Sequence, residues 1–130
     1  MKMTQPSTSI IYRSVAPREN SYNRDNQTFE GVIATDTANV QDNIRLDIEA
    51  QAKIGFPKVI PLMKDHSRAA HDQMGDIRDL RAEKGTDGVT RLIGTVKVSS
   101  GSHTEFLRSN LESGVHTALS IGFRVKKWSA

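Results

Sequence analysis

This sequence predicts a mainly β domain with minor α content, its strands arranged as an antiparallel, barrel-like sheet. Three observations carry that reading. Apolar residues alternate with small or polar ones at period two, most visibly where Leu119, Ile121, Phe123 and Val125 interleave with Ala118, Ser120, Gly122 and Arg124. Turn signals separate successive runs, the strongest being Lys84-Gly85-Thr86-Asp87-Gly88. Only one stretch, at about 102–113, combines a helix start, an apolar stripe and a helix stop.

The first nine residues are small and polar and are expected to fray, leaving 10–130 as a single domain. Ile10 to Val15 is a short β-prone run. Ala16 to Gln27 holds Pro17 and repeated Asn, Ser, Arg and Asp, and reads as a loop. Thr28 to Thr35 is the next strand, with Gly31 marking a bulge or a close backbone approach. After a polar stretch, Ile44 to Ala50 alternates cleanly and reads as an amphipathic strand, over a run short enough to fit a helix as well. Gln51 to Pro57 is a connection. Val59 to Met63 is apolar but contains Pro61, which suits a sheet edge or a strand end.

Met74, Ile77 and Leu80 have helical spacing, yet Gly75 opposes a helix. With the Asp-Gly turn behind it and Val89 to Val98 returning, the segment from Met74 to Val98 reads best as a β-hairpin. The helix follows. Ser102 and Glu105 have capping-box spacing, Phe106, Leu107 and Leu111 form the apolar face, and Gly114 is placed to end it. The total is five to seven short strands and one helix.

Composition narrows the function. The 130 residues, 36% hydrophobic and 25% charged, fit one globular domain with a sizeable core. Aromatics make up 5%, so that core is aliphatic. The absence of cysteine excludes a disulfide framework, a thiol nucleophile and thiolate zinc sites. The net charge of +3 is spread along the chain, and only Arg124, Lys126 and Lys127 cluster. With few aromatic side chains for base stacking, nucleic acid is not the expected partner. No apolar run approaches the roughly 20 residues of a membrane span, and Met1 to Ser9 lacks a signal peptide's apolar core. A soluble intracellular protein without a membrane partner is expected.

Of the four histidines, His66 and His71 are five apart and do not share a helix face. No HExxH occurs, so neither a metal nor a cofactor is expected. His103, at the helix start, is expected to be exposed. His116 shares the parity of Ser120 if that strand begins early. His66 follows the run Ile60-Pro61-Leu62-Met63 at a strand end, where a scaffold can aim a side chain. Ser120 sits between Ala118 and Gly122, on the face opposite the apolar residues, and reads as a sterically open hydroxyl. Serine is a weak nucleophile unless an imidazole takes its proton, which makes His66 and Ser120 a candidate dyad.

Five segments in order resemble the prohead (capsid maturation) serine proteases of tailed phages, whose fold is similar to the herpesvirus assemblin proteases. They are Phe29-Glu30-Gly31, Ile60-Pro61-Leu62-Met63-Lys64-Asp65-His66, Met74-Gly75-Asp76-Ile77, Leu111-Glu112-Ser113-Gly114 and Leu119-Ser120-Ile121-Gly122-Phe123. The resemblance covers residues 28 to about 126. It implies a serine endopeptidase with Ser120 as nucleophile and His66 as general base. Its substrate would be the phage major capsid protein or its scaffold segment, cut in the host cytoplasm inside the assembling prohead. Separately from the resemblance, a homo-oligomer is one partner state open to the chain, and the sequence does not fix it. The third catalytic member stays open, His116 and His71 being candidates. The family continues beyond the serine strand and draws its third residue and oxyanion donors from there. The sequence ends ten residues after Ser120, so a C-terminally truncated protease domain is expected. The alternative is a non-catalytic capsid-assembly module with an incomplete protease fold.

Overall fold

A computed structural model describes residues 10–37, 44–64, 72–114 and 119–124. Seven strands lie among them: β1 (Ile10–Ser14), β2 (Ala16–Pro17), β3 (Thr28–Thr35), β4 (Val59–Lys64), β5 (Gln73–Lys84), β6 (Thr90–Val98) and β7 (Leu119–Arg124). Two α-helices accompany them, α1 (Ile48–Ile54) and α2 (Glu105–Ser113), the second preceded by a 3-10 turn at Ser102–Thr104.

The strands form one antiparallel sheet in the order β1-β7-β4-β5-β6-β3-β2. Its two outermost strands are consecutive in the chain, separated by Val15 alone. One extended segment, 10–17, therefore pairs with β7 through its first half and with β3 through its second. The Val15 amide donates to the Leu119 carbonyl at 2.9 Å and carries the β7 ladder to the crossing point. The sheet is thus a nearly closed barrel, as the alternating runs and turn signals predict.

Closure needs curvature, and three bulges among the described residues supply it. Register slips by one residue at Ile33 in β3, at Met74 in β5, and again in β5 between Arg78 and Arg81. Two of them explain features of the sequence. Ile33 and Ala34 are adjacent yet both buried. Ile77 and Leu80, three apart, both pack on the core because the extra residue between them resets the alternation; Asp79 there has φ 53°. Their helical spacing is the imprint of a bulge.

The core is aliphatic, centred on Ile33, Leu62, Ile77, Val96, Val98 and Ile121, with Phe29 as its aromatic member. Two glycines let the strands approach. A Cβ on Gly75 would lie 2.0 Å from the Lys97 carbonyl oxygen, and one on Gly94 would lie 2.5 Å from a methyl of Ile77. Gly31 pairs with Gly94 across β3 and β6, so it marks close packing, the bulge falling two residues later. On the outer face Arg18 bonds Glu30 and Glu83 at 2.8 and 2.7 Å, and Arg81 bonds Glu30 at 3.0 Å. This clasp ties the closing segment to β5. The hydrogen bond from Arg18 holds the Glu83 carboxyl below its usual range.

Several expectations about local structure are corrected: Ala16 and Pro17, expected in a loop, pair with β3 as β2, and two α-helices stand among the described residues where one was expected. Ile44 to Ala50 is not a strand. Ile44 to Asp47 is an irregular lead-in whose apolar residues are the more buried, and Ile48 begins α1. The Asp47 carboxylate accepts from the Ala50 amide at 3.0 Å, capping the helix that Gly55 ends. The other helix starts later than the Ser102–Glu105 spacing predicts. Ser102 lies in the 3-10 turn and Thr104 is the N-cap, without a side-chain capping bond. Phe106 is 76% exposed, so the apolar face of α2 is Leu107 and Leu111. Gly114 ends α2 in the left-handed conformation, as predicted. The hairpin of β5 and β6 around Gly85–Gly88 and the strand at 28–35 also stand where the sequence places them. Pro61 lies on β4 where β7 does not reach, since those strands pair only at Met63 and Lys64 among the described residues.

Candidate functional site

Among the described residues four polar or charged side chains are buried: Arg13, Thr90, Thr104 and Ser120. The first three tie elements of the fold together. Arg13 donates to the carbonyls of Tyr12 and Ile44 at 2.8 and 3.0 Å, joining β1 to the lead-in of α1. Thr90 donates to the Glu49 carboxylate at 3.0 Å, tying α1 to the start of β6. The Thr104 hydroxyl bonds the Ser99 and Gly101 carbonyls and accepts from Arg108, which locks the turn before α2.

Ser120 is the fourth, and it sits on β7. It pairs with Ser14 of β1 on one side and Met63 of β4 on the other. Directly opposed residues in an antiparallel sheet share a face. Leu119 and Ile121 point into the core, so Ser120, Ser14 and Met63 belong to the outer face, as the alternation predicts. The openness predicted for Ser120 is corrected. Its exposure is 1%, whereas Ser14 on the same face is exposed, as is Gly122 two residues on. Small neighbours along a strand leave room only if nothing packs over that face. The hydroxyl is therefore enclosed.

The described part of β4 ends at Lys64, paired with Leu119. His66 lies two positions further, outside the described residues, as do His71, His116, Ala118 and the basic cluster members Lys126 and Lys127. His103 is in the 3-10 turn and exposed, as expected. Among the described residues no group of three His, Cys, Asp or Glu could hold a metal ion. No helix among them is long and apolar enough to cross a membrane.

The titratable groups with clear shifts lie elsewhere among the described residues. Asp87, in the hairpin turn, is held down to about 2 by hydrogen bonds from Arg91 and the Val89 amide. Tyr22 is raised, chiefly by burial and then by Glu112. Neither adjoins β7. Of the two partners of Ser120 in the sheet, Met63 belongs to the apolar run that leads to His66, and Ser14 carries no chemical signal in the sequence. The signal available for Ser14 was its place two residues after Tyr12 in a β-prone run, which fixes a face but not a neighbour.

No family model matches the chain, and neither a curated protein nor a solved structure matches it.

Proposed function

We propose that the chain is a serine endopeptidase of the prohead maturation type, with Ser120 as nucleophile and His66 as general base. The observation that supports this most is the neighbourhood of β4 and β7. Ser120 is paired with Met63, and the chain reaches His66 three residues after Met63. A consecutive Cα step is about 3.8 Å, so three such steps of chain separate His66 from the residue that pairs with Ser120. The ordered sequence segments add the reaction class.

Ser120 Oγ attacks the carbonyl carbon of a capsid or scaffold peptide while His66 takes the hydroxyl proton. The tetrahedral intermediate collapses, the C–N bond breaks, and His66 gives its proton to the leaving amine. Water then loses a proton to His66 and attacks the acyl carbon. The ester C–O bond breaks and Ser120 recovers its proton. A third residue, His116 or His71, would fix the tautomer of His66. The reaction takes place in the host cytoplasm, within the assembling prohead.

The test is processing of the phage's own capsid protein in cells that co-express it with this protein. Ser120→Ala and His66→Ala are each expected to abolish cleavage. Cleavage that persists in either variant contradicts the assignment.

The 1% exposure of Ser120 favours a second reading, a capsid-assembly module that keeps the barrel without catalysis. A hydroxyl this enclosed reaches a peptide only if its cover moves. Under that reading Ser120→Ala leaves capsid processing and shell assembly unchanged.

A further inference from the structure

The ladder between β4 and β5 stops at Val59 opposite Arg78. Strand β5 runs on, paired with β6, as far as Lys84 opposite Thr90. Among the described residues, the other edge of Asp79–Lys84 has no strand beside it. Every residue of that stretch is exposed except Leu80, which is half-buried. Unpaired N–H and C=O groups along such an edge are a template for another strand. A groove of about 480 Å³ adjoins it, lined by Phe56, Lys58, Val59, Arg78 and Leu80 among others.

We infer that this edge pairs with the same edge of a second copy, as an antiparallel two-fold dimer centred on Ala82. Strand geometry and charge select that register. Directly opposed residues must share a face, so the two-fold axis passes through a residue, never between two. An axis at Arg81 sets that arginine against itself, one at Glu83 does the same with glutamates, and one at Leu80 relies on Asp79, which the bulge holds at φ 53°, outside strand geometry. An axis at Ala82 sets Arg81 opposite Glu83 of the second copy, twice, and Leu80 opposite its Lys84. Opposite charges across a strand pair stabilise it, and like charges destabilise it.

The surrounding chemistry agrees. Arg81 and Glu83 already share the outer face, bonded to Glu30 and Arg18 respectively. Pairing at Ala82 joins the two clasps into one alternating row of charges. It also carries the turn Gly85–Asp87 of the second copy to the groove, where Lys58 and Arg78 offer positive charge to Asp87. The inference is independent of any activity at Ser120.

The chain has no cysteine, so a single introduced thiol reports the register. Ala82→Cys places two thiols on the axis, within disulfide reach. Lys84→Cys places them about 13 Å apart along the strands, out of reach. Under mild oxidation the A82C chain is expected to become a covalent dimer and the K84C chain to stay uncrosslinked. Sedimentation equilibrium of the unaltered chain is expected to show a dimer, its dissociation constant raised roughly tenfold or more by Glu83→Arg. Circular dichroism verifies that each variant is folded. An unaltered chain that sediments as a monomer overturns the inference, including the case in which this edge takes a strand from another protein. Cross-linking of K84C as readily as A82C overturns the register and with it the inference.

Discussion

The two halves of β5 live under opposite conditions. From Gln73 to Arg78 the strand lies between β4 and β6, and its inward side chains Met74 and Ile77 are almost wholly buried. Gly75 there has no room for a methyl group. From Asp79 to Lys84 the same strand has β6 as its one neighbouring strand among the described residues, and its side chains other than Leu80 face water. The bulge at Asp79 divides the halves. Interior packing tolerates no change of volume, whereas surface positions tolerate most. One strand therefore acts as a core staple at one end and as a free edge at the other. Ser120 belongs to the crowded end, since its partner Met63 pairs with Gln73.

That contrast can be broken where it is strongest. Gly75→Ala drives a methyl into the Lys97 backbone and is expected to cost on the order of 4 kcal/mol, the upper end of overpacking. Urea denaturation measures it, and a loss under about 1 kcal/mol would mean that β5 and β6 are not so close. Next comes Ile77→Ala, which empties a site with no solvent exposure and is expected to cost about 3 kcal/mol. Across the bulge the scale drops. Arg81→Ala removes an exposed ion pair to Glu30 and is expected to cost below about 1 kcal/mol in the same titration.

The smallest effect is local to the hairpin turn. The Asp87 carboxyl, ordinarily at 3.8, is held at about 2 in the folded chain. A depressed carboxylate contributes stability that is full above its unfolded value and is lost as pH falls through the folded one. Amide exchange in the turn 85–89 is expected to quicken, relative to the strands, as pH falls from about 4 through about 2. Asp87→Asn removes that pH dependence. A turn whose relative protection is constant over this range contradicts the Arg91–Asp87 contact.

Much of this architecture was legible because local signals and tertiary packing agree. Thr28–Thr35 stands out by β propensity between polar stretches, the hairpin by its Asp-Gly turn, and the end of α2 by Gly114. The failures have physical causes. Residues 44–48 really do alternate in burial, and that alternation runs by coincidence into a helix whose signal was Asp47 three residues before Ala50. Met74, Ile77 and Leu80 kept a helical interval because a bulge inserts a residue, and bulges leave no period of their own. The face of Ser120 followed from period two. Its enclosure did not, because it depends on what packs over the strand from elsewhere in the chain. The order of strands likewise brings β4 to β7 across fifty-odd residues of sequence, a neighbourhood no local pattern encodes.

A fluorophosphonate that reacts with activated serines tests the central claim most directly. Mass spectrometry of the full chain after treatment is expected to find one adduct, on Ser120, absent when His66→Ala removes the base. A folded chain that takes up no adduct at Ser120, or labels it equally without His66, contradicts the account.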